Sequence, residues 1–166
     1  MTLGLILKLL HILAAFALVG GEIGRTIAFR RARQATDVKI VAEMLQIFTF
    51  LTTKLVSIGG MLTVVLGLIA AGAQGGAVLI LGFLMGGEIN WVLASLVLYI
   101  VIMAITFSVS IPRGKVLGQA LAAALKEGKI TPELTAALND RAMNTANVIV
   151  QILILVIIVL MVLKPF

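Results

Sequence analysis

The sequence has no cysteine, and only one histidine, one tryptophan, one tyrosine and three prolines in 166 residues. Without cysteine there is no disulfide framework, no thiolate metal site and no cysteine-held iron–sulfur cluster. Polar surface is scarce too. Charged residues make up 12% of the chain and hydrophobic ones 61%, with a mean hydropathy of +1.21. A soluble domain of this size needs far more polar surface to cover itself. The seven carboxylates (Glu22, Asp37, Glu43, Glu88, Glu127, Glu133, Asp140) are scattered, and none sits deep in an apolar run. A carboxylate-driven proton pump therefore lacks its usual centrepiece. GxSxG, HExxH, P-loop and paired-carboxylate patterns are also missing. The sequence thus leans away from an enzyme.

What it does have is apolar length. Four stretches, at about 3–19, 55–73, 91–111 and 147–163, approach or reach the ~18–20 residues that cross a hydrocarbon core of about 30 Å. The expected fold is an all-α integral membrane protein: one polytopic domain over 1–166, built as a four-transmembrane-helix bundle. Ala15-Phe16-Ala17 mimics a signal-peptidase site, but the basic block follows the apolar run instead of preceding it, so the first segment is read as retained.

Between the spans the punctuation is uneven. Gly20-x-x-x-Gly24 would allow close helix approach. Thr36 or Asp37 can cap a second helix, and no Gly or Pro interrupts it before Gly59, so it is expected to run from about 38 to 73. Residues 77–85 are too short to span and are read as an interfacial piece. Pro112 is expected to end the third helix, because the residue before proline is pushed out of helical geometry. A short amphipathic helix over 115–127 should stop at Gly128. Thr131-Pro132-Glu133 then gives a strong start signal for a helix expected to continue unbroken to Leu163.

Charge sets the orientation. Segments 20–54 and 112–146 hold eleven of the thirteen Lys and Arg residues, whereas 74–90 holds none. The positive-inside bias makes the two basic segments cytoplasmic, with helical extensions on that side and both termini outside. The multi-pass chain is assigned to the plasma (inner) membrane. Its net charge of +6 is explained by topology and anionic lipid rather than by nucleic acid, for which no recognisable module is present.

Small and polar residues recur at helical spacing on each span: Gly4, Lys8, His11, Ala15 and Glu22 on the first, Ser57, Gly60, Thr63, Gly67 and Gln74 on the second. The third carries Ser95, Tyr99, Met103, Thr106, Ser110 and, at its end, Arg113, and the fourth Asp140, Asn144, Asn147 and Gln151. Such stripes normally serve helix contact. His11 and Lys8 stand out because ionisable groups at membrane depth are costly and face the bundle interior or a cavity. A neutral imidazole is also a usual axial donor to haem iron, which makes His11 a candidate ligand of haem b, with Lys8 beside it. The alternative is a histidine hydrogen-bonded between helices. With no second histidine, any sixth ligand would have to be a Met such as Met61 or Met103.

LKLLHILAAFALVGGEIGR, with Lys8-x-x-His11 and Gly20-Gly21, together with WVLASLVLYIVI at 91–102, resembles the uncharacterised predicted integral membrane proteins of the copper-resistance D-like superfamily. The Lys-x-x-His is similar to that of the superfamily's bacterial haem-binding protoporphyrinogen oxidase, which implies a four-helix membrane bundle and a haem ligand at His11. The chain departs from that enzyme past the first span, where Arg30, Arg31 and Ala32 stand in place of a second histidine. The expectation is therefore a small membrane protein without catalysis of its own, a homo-oligomer or an accessory component alongside other membrane subunits. The rivals are a b-type haem redox protein using His11 and a copper transporter using methionines.

Overall fold

The computed structural model describes residues 3–72 and 90–163. The expected interfacial piece at 77–85 lies outside the described residues. Every element described is helical, and four helical stretches are long and apolar enough to cross a membrane: Leu3–Gln34, Val38–Ala70, Trp91–Glu127 and Pro132–Leu163. Their surfaces are inverted relative to a soluble protein. Phe16 is 71% exposed, Leu155 60% and Val162 73%, on spans with few charges to cover them. Burial of apolar area drives soluble folding, so side chains like these belong in hydrocarbon.

The helices gather into two compact units. The first contains α1 (Leu3–Gln34), most of α2 (Val38–Phe50), a π-helical segment (Leu51–Ser57) and α3 (Ile58–Ala71). Here α1 lies against the π segment and α3. Three contacts run down this pair in an unbroken antiparallel register: His11 on Thr63 and Gly67, Ala14 and Leu18 on Gly59, Gly21 on Leu55 and Val56. Gly24 on Leu51 continues it. On α1 the positions Ala14, Gly21 and Ala28 recur at sevens, as do His11, Leu18, Arg25 and Ala32. That repeat keeps one seam facing the partner.

Glycine placement explains how the seam closes. A Cβ on Gly59 would lie 3.1 Å from the Leu18 backbone nitrogen and 3.3 Å from the Ala14 carbonyl oxygen. One on Gly21 would lie 2.7 Å from Leu55 Cβ. Gly20, by contrast, meets nothing within 4 Å. The close approach thus uses Gly21 and Gly24, not Gly20 with Gly24, because the seven-residue seam passes through position 21. The π segment has a wider backbone than an α-helix, and it sits opposite those two glycines.

The second unit holds α4 (Trp91–Ile105), a π-helical segment (Thr106–Ser110), α5 (Ile111–Glu127), α6 (Pro132–Leu138) and α7 (Arg141–Leu163). α4 and its π segment pack on α7, and α5 packs on α6. Asn90 caps α4, its side-chain oxygen accepting the Val92 and Leu93 N–H groups at 3.1 Å. Thr131 caps α6, and Gly128 ends α5 with φ 70°, both as the sequence suggests.

Two sequence expectations are corrected here. Pro112 does not end the third helix; the chain stays helical from Trp91 to Glu127. Proline has no N–H, and its ring collides with the carbonyl four residues back. The π segment opens that turn just ahead of the proline, with the Ile111 N–H reaching the Thr106 carbonyl five residues back. Ile111 remains helical at φ −68° and ψ −50°. Nor is the last helix unbroken from Pro132. Asn139 leaves helical geometry at φ −100° and ψ 14°. Asp140 then caps α7, accepting the Met143 N–H at 2.7 Å.

The polar stripes also resolve differently from simple helix-to-helix bonding. The hydroxyls of Thr63, Ser95 and Thr106 donate to carbonyls four residues back in their own helices, at 2.7–2.8 Å. Such back-bonding satisfies a hydroxyl in hydrocarbon without a partner helix.

Candidate functional site

His11 and Lys8 are three residues apart on α1, and the structure parts them. Lys8 is exposed and is in no ion pair among the described residues. His11 turns inward and is half-buried, its Nδ1 at 2.8 Å from the Thr63 carbonyl oxygen on α3. A carbonyl only accepts, so Nδ1 carries the hydrogen, and in the neutral ring Nε2 is the bare nitrogen. Gly67 makes room for the ring one turn further along α3. A Cβ there would lie 2.9 Å from His11 Cε1 and 3.0 Å from Nδ1. His11, Thr63 and Gly67 therefore form one device: a ring lodged in a notch and tied to backbone.

A second cluster lies toward the other end of α1, and its members belong to different features of the sequence. Glu22 stood on the polar stripe and Arg25 in the basic block, yet the two form a buried ion pair, Arg25 Nε donating to Glu22 Oε2 at 2.9 Å. The Arg25 guanidinium lies 5.8 Å from the centre of the Phe48 ring, and Phe48 meets Phe29 with centroids 5.4 Å apart. The signal available in the sequence was the Glu-x-x-Arg spacing, which places the two side chains on one helical face. Its effect on topology is that Arg25 is neutralised, while Arg30 and Arg31 remain exposed.

The third polar contact is in the second unit, where Arg113 at the start of α5 donates to Asp140 at the α6–α7 joint. Asp140 lies outside the apolar span that begins near Asn147. The Met143 backbone N–H holds its carboxyl below the usual range; loss of hydration opposes this, and the charge and hydrogen bond of Arg113 reinforce it. Among the described residues, no three His, Cys, Asp or Glu side chains gather in a group that could hold a metal ion.

One family model, described as "Predicted integral membrane protein (DUF2269)", matches residues 5–165. No curated protein and no solved structure matches the chain.

Proposed function

The chain belongs to the DUF2269 family of predicted integral membrane proteins, and from that premise we propose that it is a non-catalytic component of a larger membrane assembly. The observation that carries this reading is the surface of the helical extensions beyond the spans. Ile40, Ile47, Val116 and Leu125 are all exposed there, at positions the charge pattern assigns to water rather than lipid. Scattered single apolar residues are ordinary on a water-facing surface, but four on extensions rich in Lys and Arg suit contact with another subunit or a second copy. The same reading places both termini outside the plasma membrane and the extensions in the cytoplasm. Native mass measurement in mild detergent tests it. A mass well above the 17.5 kDa chain, reduced to one chain by Val116→Ser with Leu125→Ser, supports assembly. A monodisperse single chain in membranes and detergent alike rejects it.

A second reading is favoured by the tautomer of His11. An Nδ1–H bound to a backbone carbonyl, with Nε2 bare, is the form in which histidine serves as an axial ligand. His11 would hold a haem b iron through Nε2, and the group would supply one-electron redox chemistry. This fits the proposed relationship to the copper-resistance D-like superfamily and its haem-binding oxidase. The fit is partial, since Lys8 is exposed where His11 is half-buried and Met61 is 56% exposed. Copper transport through methionines gains nothing comparable, with Met143 buried on α7. His11 lies roughly 13 Å into the first span, so its ring needs a partner, and the Thr63 carbonyl already supplies one.

A further inference from the structure

The α4–α7 face of the second unit is not closed. Ile105 and Val109 on one side and Ala142, Thr145, Ala146 and Ile149 on the other line an open groove of about 400 Å³, and Arg141 stands at one end. Two features make it. Ala142 and Ala146 are a turn apart on α7 and contribute only methyl groups. The π segment opposite, which contains Val109, departs from regular helical packing.

The groove has a direction relative to the membrane. Ile105 and Ile149 lie within the apolar spans, while Arg141 is six residues before Asn147, about 9 Å nearer the basic side at 1.5 Å per residue. That depth difference matches the passage from hydrocarbon into the headgroup layer, which is about 5–8 Å thick on each side. At the mouth the charges divide unequally. Asp140 is Arg141's neighbour in sequence, but its oxygens are engaged by the Met143 N–H and by Arg113. Arg141 is exposed, and among the described residues it has no carboxylate within ion-pair distance.

An apolar groove open to the bilayer, ending at an unpaired guanidinium at headgroup depth, has a definite complement. We infer that it seats one anionic phospholipid, an acyl chain lying between α4 and α7 and the phosphate pairing with Arg141. A guanidinium suits phosphate because its planar fork of donors can bind two oxygens at once. The groove's openness selects a membrane lipid over a water-soluble ligand, since the occupant enters sideways from the hydrocarbon.

The test is native mass spectrometry of the intact protein in detergent, titrated with phosphatidylglycerol or with phosphatidylcholine of the same chains. The wild type should retain phosphatidylglycerol more strongly. Arg141→Gln should lower its retention about fivefold, the effect of one basic residue near a charged surface, and lower that of phosphatidylcholine less, because the choline cation offsets its phosphate. Ala142→Leu, at an exposed position that fills the groove, should lower retention of both lipids. Lys126→Gln, on the same unit but away from the groove, should change neither. Equal retention of the two lipids by the wild type, or undiminished phosphatidylglycerol binding in Arg141→Gln, would overturn the inference. So would unchanged binding in Ala142→Leu.

Discussion

The two units each pair a pair of antiparallel spans, and they do it in opposite ways. Between α1 and α3, small residues are closely covered: Gly59 meets the Leu18 nitrogen and the Ala14 carbonyl, and Gly67 receives the His11 ring. Between α4 and α7, the small residues Ala142 and Ala146 face branched side chains, and space remains. The first pair is pinned within the span by a histidine, the second beyond it by Arg113 and Asp140. The contrast teaches that small residues mark close approach only where the seam aims them at the partner helix. Elsewhere the same residues leave room.

Substitution by leucine should break that comparison most sharply. Gly59→Leu places a side chain where backbone atoms already stand 3.1–3.4 Å from a Cβ. It should destabilise the first unit by about 3 kcal/mol, at the upper end for overpacking. Gly20→Leu, which meets nothing within 4 Å, and Ala142→Leu in the open groove should each stay within about 0.5 kcal/mol. Unfolding of the three variants in one detergent measures this. Equal losses at positions 59 and 20 would mean that the seam has been assigned to the wrong face.

A smaller effect separates the two π segments. The one before Pro112 answers a missing N–H, whereas Leu51–Ser57 faces Gly21 and Gly24 with no proline near. Pro112→Ala should let Thr106–Ser110 return to α-helical bonding, seen as a new protected amide at position 112. The same measurement on Leu51–Ser57 should show no change. Loss of both π segments in that variant would show that they share a cause.

These features also mark where the sequence was legible. The Thr131-Pro132 start and the Gly128 stop were readable because capping is local chemistry, complete within four residues. Four apolar spans were readable because bilayer thickness fixes their length. The Pro112 rule failed because it describes one residue pair, while the adjustment was made over the five residues before it. The break at Asn139 carries neither glycine nor proline; its cue was Asp140, read as part of a stripe instead of as a cap. At the candidate site, His11 was found because it is the only histidine, but its partner is a backbone carbonyl and leaves no mark in the sequence.

The smallest effect lies at the Arg113–Asp140 pin. Because the folded carboxyl is held below its ordinary range, its contribution is fully present above that range and is lost as pH falls through the lowered value. Asp140→Asn should therefore flatten the acid limb of the stability curve of the second unit, lowering neutral stability by the amount that the wild type loses in acid. An unaltered acid limb would mean that neither the Met143 N–H nor Arg113 stabilises the carboxylate in solution.

The claim that separates the two functional readings is that His11 serves the α1–α3 contact rather than an iron. The direct measurement is the visible absorption spectrum of the purified wild-type protein beside His11→Gln. The account predicts no Soret band in either, and only a modest loss of stability in the variant, since glutamine keeps a donor near the Thr63 carbonyl. A stoichiometric Soret band in the wild type that disappears in His11→Gln, with the bundle still folded, would contradict it.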